Sequence, residues 1–75
     1  MLAYVLLNIK PNSEGNVFAK VKEFDDVKEV HILFGSWDMI LQVELDDVSA
    51  LNEFMIEKIR KIPDVTLTAT MLVAK

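Results

Sequence analysis

The stretch that decides the fold is Val27–Leu45, VKEVHILFGSWDMILQVEL. Its two halves, Val27 to Phe34 and Asp38 to Leu45, are rich in β-branched, aromatic and long apolar residues, and Gly35-Ser36 follows the first half directly. Two such runs with a short polar connection predict an antiparallel hairpin, because glycine supplies the backbone freedom that a tight reversal needs. Acidic pairs bracket the hairpin, Asp25-Asp26 before it and Asp46-Asp47 after it.

Outward from the hairpin, each side supplies one helix and one strand. On the N-terminal side, Leu2 to Ile9 (LAYVLLNI) is a continuous apolar run stopped by Lys10-Pro11-Asn12, the pattern of a buried strand ended by a turn. Asn12 and Ser13 are candidate caps for a helix whose Val17, Val21 and Phe24 recur at i, i+4 and i+7. On the C-terminal side, Asp46 and Asp47 offer N-cap chemistry, and Val48, Leu51, Phe54, Met55, Ile59 and Ile62 repeat at helical spacing. Arg60 and Lys61 fall in the last turn of that helix, where cations favour the macrodipole, and Pro63 stops it. Val65 to Ala74 (VTLTATMLVA) then alternates as a strand, with Leu67, Ala69, Met71 and Val73 on one face and Thr66, Thr68, Thr70 and Leu72 on the other.

The order strand, helix, strand, strand, helix, strand, with right-handed crossovers, predicts an α+β ferredoxin-like βαββαβ sandwich: a four-stranded antiparallel sheet with two helices on one face. Two helices cover only one face, yet the first strand is apolar at nearly every position, unlike a strand whose other face meets water. The uncovered face therefore calls for a partner, with Tyr4, Leu6 and Leu72 as candidate interface residues. Ile56, off the main stripe of the second helix, suggests a further contact. The chain has 75 residues, 52% of them hydrophobic, a large share for a single domain so small that its own core is limited. Self-association is the expected outlet.

Composition excludes several function classes. Eight Lys and Arg stand against twelve Asp and Glu, and a net charge of -4 repels phosphate backbones, so direct nucleic-acid binding is not expected. The absence of cysteine removes thiolate nucleophiles, sulfur metal ligands and disulfides. The apolar runs are too short to span a bilayer, and no basic segment precedes the first one, so neither a membrane span nor a signal peptide is expected and the location is read as cytoplasmic. His31 is the only histidine, and with no second His or Cys it makes no recognisable metal site. The pairs Asp25-Asp26 and Asp46-Asp47 are accounted for by turn solvation and helix capping, so no catalytic residue, metal or cofactor is expected.

Two features remain for binding. The bend Gly35-Ser36-Trp37-Asp38 joins a glycine able to take positive φ, backbone N–H groups and a carboxylate beside an aromatic, a set able to hold a zwitterion or simply to make a turn. The row Thr66, Thr68 and Thr70 places hydroxyls along one strand, where they serve either a ligand or β-propensity alone.

Taken together, AYVLLNIKP, VKEVHILFGSWDMILQVE, LNEFMIEKIRKIPDV and TLTATMLVAK resemble the RAM domain, the effector-binding module of Lrp/AsnC-type transcription regulators. The resemblance covers nearly the whole chain, residues 1–75, as one domain. It rests on the glycine and aspartate flanking the bend, the IRKIP helix end and the TxT strand in this order. The sequence begins at the first strand of that domain, so it resembles the stand-alone members that lack the helix-turn-helix domain. The resemblance implies homodimers formed by sheet-to-sheet packing, a dimeric α/β-barrel, gathered into rings such as octamers. It also implies an amino-acid effector bound between dimers near the bend and the last strand, and a partner regulator of the Lrp/AsnC type. By position, Gly35 and Asp38 match the family's bend residues, Ser36 and Trp37 lie between them, and Thr68 and Thr70 match the TxT; Trp37 stands where the family commonly has tyrosine. Two other readings compete: a small dimeric α/β-barrel enzyme of the monooxygenase kind, for which His31, Asn8 and Tyr4 are the available groups, and a structural oligomerisation domain without ligand.

Overall fold

The computed structural model describes all of residues 1–75, and its elements run β1 (Leu2–Ile9), α1 (Glu14–Lys22), β2 (Val27–Ile32), β3 (Met39–Glu44), α2 (Val48–Phe54), a π-helical segment (Met55–Ile59) and β4 (Val65–Leu72). The sheet has the order β2-β3-β1-β4 with every neighbouring pair antiparallel, which is the ferredoxin-like βαββαβ arrangement.

Burial is one-sided. Alternate residues of the two central strands point at the helices: Ala3, Val5, Leu7 and Ile9 from β1, and Met39, Leu41 and Val43 from β3. They meet Val17 and Val21 of α1, and Leu51, Phe54, Met55 and Ile59 of the second helix, with Ile62 closing the end. All fourteen buried residues are apolar, and none comes from β2 or β4, so the core is held by the inner strands alone. Phe24 lies beyond the end of α1 instead of on its stripe, and still reaches the core, edge-on to Phe54 with ring centroids 5.9 Å apart.

Several expected details change for local reasons. Asn12 takes φ 68, a turn conformation that asparagine tolerates, and Ser13 holds the N-cap position of α1 without a side-chain hydrogen bond. Asp47 is the working cap of α2: its Oδ1 accepts from the Ala50 N–H at 2.8 Å. Val48, read as part of the buried stripe, is half-exposed. β2 stops at Ile32, two residues short of Phe34: the Leu33 N–H makes the last cross-strand bond, to the Asp38 carbonyl at 2.8 Å, and the chain then turns away and leaves Phe34 fully exposed. β3 correspondingly starts at Met39, and β4 ends at Leu72 instead of Ala74.

The β1–β4 register corrects one interface assignment. Side chains of directly paired residues share a face. Leu72 pairs with Ala3, and Ala3 is buried against the helices, so Leu72 lies on the helix side and not with Tyr4 and Leu6. Met71, paired with Tyr4, and Ala69, paired with Leu6, lie on the open face instead. That face also carries Ile40, opposite Leu6, and Leu67, opposite Asn8.

Because Leu41 is fully buried, Leu41→Ala should cost about 3 kcal/mol of unfolding free energy in urea titrations, against about 1 kcal/mol for loss of the Asp47 cap in Asp47→Ala. Equal costs would mean that the core does not rest on the inner strands.

Candidate functional site

Asp38 sits where the hairpin returns into the sheet, and it is anchored on three sides. Its N–H donates to the Leu7 carbonyl at 3.0 Å and to Asn8 Oδ1 at 3.2 Å. Its carbonyl accepts from the Leu33 N–H, and its carboxylate Oδ2 accepts from the Ile9 N–H at 2.9 Å. The carboxylate thus extends the β1–β3 ladder past the last backbone pair, Leu7 and Met39, by supplying the acceptor that β3 no longer offers. Asp38 is half-buried, and its Oδ1 has no partner within the chain. Gly35 takes φ 140, a conformation that side-chain-bearing residues rarely adopt, as the bend requires. Ser36 is exposed and Trp37 half-buried.

The threonine row divides by chemistry. Thr66 spends its hydroxyl on the Asn8 carbonyl at 3.1 Å, at the point where the β1–β4 register shifts between Asn8 and Ile9. Thr68 and Thr70 pair with Leu7 and Val5, so they face the helix side from the edge strand, and their hydroxyls are free of protein partners. The bend and the TxT do not converge within one chain. Leu7 accepts from Asp38 on one side and pairs with Thr68 on the other, which separates the two by two strand spacings, about 10 Å. The Asp38 carboxylate is drawn onto the Ile9 N–H while Thr68 faces the helix side, so within one copy the two are separate half-sites.

Sequence reasoning missed one neighbour of Thr68. An open groove of about 250 Å³ at the start of β4 is lined by Arg60, Val65, Thr66, Leu67 and Thr68. Arg60 reads from sequence as a helix-end cation, and only the turn between helix and strand brings it to Thr68.

The residues offered for acid–base chemistry are not assembled for it. His31 Nε2 lies 3.1 Å from Glu29 Oε1 on the exposed side of the sheet, and with Tyr4, Ile40 and Gln42 this pair lines an open depression of about 330 Å³ there. Asn8 is committed to the Asp38 backbone. The layer between helices and sheet, where an enzyme of this architecture would hold its reacting groups, is filled by the apolar core with no buried polar residue. No helix is long and apolar enough to cross a membrane.

A model of the Lrp/AsnC ligand binding domain matches residues 2–75. The chain belongs to this family. It is 34% identical over 73 residues to PF0250 of Pyrococcus furiosus, described as an uncharacterized HTH-type transcriptional regulator, in an alignment covering 93% of this chain and 49% of the regulator. The chain spans about half the length of the curated relatives it matches. Among solved structures, it is similar to FFRP-DM1, with a TM-score of 0.92, 35% identity and 96% of each chain covered. The transcriptional regulator NMB0573 of Neisseria meningitidis, solved as its L-Met complex, has a TM-score of 0.92 over 99% of this chain and 49% of that one; at 21% identity it shows the shared fold.

For this Lrp/AsnC domain, the Asp38 contacts make the bend part of the sheet instead of a loose loop. Asp38→Ala removes the acceptor of a part-buried N–H and should cost about 1–3 kcal/mol, while Asp38→Asn, which keeps an oxygen for Ile9, should cost less. Thermal unfolding and hydrogen exchange at the Ile9 amide measure both. An unchanged melting temperature with a still-protected Ile9 amide in Asp38→Ala would show that the carboxylate does not hold the bend.

Proposed function

We propose that the chain is a non-catalytic, amino-acid-responsive regulatory module that acts in the cytoplasm. It binds a small effector where copies of the domain meet, and through assembly it modulates transcription regulators of the Lrp/AsnC type. The observation that carries this reading is the half-buried Asp38 carboxylate, fixed through Oδ2 and free at Oδ1, in a bend with glycine and Trp37, within a chain of the Lrp/AsnC ligand-binding family. Its free oxygen suits an ammonium, accepted in a charge-assisted bond. The separation of Asp38 from Thr68 and Thr70 supports a site completed by a second copy, with the bend of one chain against the TxT strand of another. The L-Met complex of the Neisseria regulator supports an amino acid as the effector class. Trp37, in a position where tyrosine is common, gives this pocket its own shape, so the effector is chosen by experiment and not by analogy.

The dimer we propose packs the open sheet face of one copy on that of another. Tyr4, Leu6, Ile40, Ala69 and Met71 supply its apolar centre, together with Leu67, which is 56% exposed in the single chain. A second copy fits because the face is apolar along β1 and β4 and at Ile40, and carries Glu29 and His31 on the edge strand β2 with Gln42 next to them on β3, so its polar groups gather toward one side as an interface rim does. Dimers then gather into rings such as octamers through the ends that carry the bend and β4.

Two measurements test these statements. Equilibrium dialysis against mixed amino acids should retain at least one, and Asp38→Asn should weaken its binding by about 1.5–3 kcal/mol in calorimetry while the dimer persists. Because a ligand shared between copies favours the assembled form, sedimentation velocity should show larger species when it is present. Retention of no amino acid, or equal binding by Asp38→Asn, would sink the effector reading. For the dimer, Leu67→Glu places a charge on the open face and should convert the protein to a folded monomer in light scattering, whereas an unchanged assembly would place the interface elsewhere.

A further inference from the structure

We propose that the groove beside Arg60 is an anion site that takes the carboxylate of a small molecule, with the Arg60 guanidinium and the Thr68 hydroxyl as its donors. The proposal deepens the effector-binding reading by naming the chemistry of one half of the site. It rests on that reading only for which molecule carries the carboxylate.

Three observations converge on it. The first is charge: the chain is acidic, with a net charge of -4, yet the groove is lined by one cation and no carboxylate. Arg60 makes no ion pair, while Lys58 and Lys61 are paired with Asp26 and Glu57. The second is hydrogen-bonding capacity. Thr66 has given its hydroxyl to Asn8, but Thr68 has not committed its own, so the groove offers a fork of guanidinium N–H groups and one free hydroxyl.

The third is how Arg60 is held. The second helix leaves α geometry at Met55 and finishes as a π-helical segment, and the wider turn is closed by the Arg60 N–H donating to the Met55 carbonyl at 2.8 Å. Wider winding turns each residue through less rotation, so Arg60 is aimed differently from the end of a continuous α-helix; π segments of this kind often accompany functional sites. Two further bonds, Ile62 N–H to Ile59 carbonyl and Val65 N–H to Ile62 carbonyl, both 3.1 Å, fold the chain straight into β4. Ile59 and Ile62 are buried on either side of Arg60, so its backbone is held at a fixed place beside the strand and its side chain starts from the groove wall.

The helix end itself opposes an anion, since its carbonyls carry a partial negative charge of roughly half an electron. Here the carbonyls of Met55, Ile59 and Ile62 are each occupied by an N–H, and the guanidinium carries a full charge at the groove wall. The balance favours an anion.

Sodium acetate, a carboxylate with no ammonium, is the probe. Titrated into the isotope-labelled chain, it should shift the Thr66, Leu67 and Thr68 amides and the Arg60 Nε–H saturably, and sodium chloride at equal ionic strength should not. Arg60→Gln should weaken acetate binding roughly tenfold or more without changing the melting temperature, because Arg60 is exposed and unpaired. Arg60→Lys should fall between, having the charge without the planar fork, and Thr68→Val should lose less than Arg60→Gln. Acetate binding unaffected by Arg60→Gln, or shifts confined to the bend, would overturn the proposal. The two readings fail separately. If acetate saturates the groove while dialysis retains no amino acid, the effector reading falls and the anion site stands. If an amino acid is retained equally well by Arg60→Gln, the reverse holds.

Discussion

Everything in this structure depends on the contact between one face of the two inner strands and two helices. Seven side chains of β1 and β3 meet the helices in a layer with no buried polar residue. Two short helices cannot also cover the opposite face, so the same contact that stabilises the chain leaves an apolar surface exposed. In a small domain that surface is a large fraction of the whole, and packing it against a second copy is the physical outlet open to it.

The one-sided core also places the functional groups. Because burial is concentrated on the inner strands, the edge strands β2 and β4 are free to carry polar residues, and three features relevant to binding share the sheet end where β1 finishes. The bend, the register shift at Asn8 and Ile9, and the turn from the second helix into β4 all lie there. Asp38 serves the fold and the proposed site at once: one carboxylate oxygen replaces a missing ladder acceptor, and the other is left for a ligand. A group held in this way brings little reorganisation cost to binding, since its position is already fixed by the sheet.

The bend and the groove offer opposite chemistry, a carboxylate at Asp38 and a guanidinium with a free hydroxyl at Arg60 and Thr68. They are two strand spacings apart in one chain. In the function proposed above, that separation would connect ligand binding to assembly, because complementary half-sites set apart in one copy can be brought together between two. Membership of the Lrp/AsnC ligand-binding family is consistent with such a design, and the open sheet face is the surface on which the proposed dimer would pack.

The sequence by itself determined the element order, the alternation along the last strand and the family. Those features depend on local pattern: the continuous apolar run of β1, alternation along β4, the stripe Leu51, Phe54, Met55, Ile59 and Ile62, and the glycine of the bend, whose positive φ the structure has at Gly35. Tertiary structure alone decided the rest. Leu72 was placed with Tyr4 and Leu6 because all three are apolar, but its face is set by pairing with Ala3, a partner about 70 residues away that no local pattern identifies. The same applies to Asp38, whose carboxylate answers an N–H on a different strand, and to Arg60, which shares a groove with Thr68 only because a π-helical segment and two tight turns return the chain there. Periodicity is a property of neighbours along the chain, whereas a site is made by residues that are neighbours only in space.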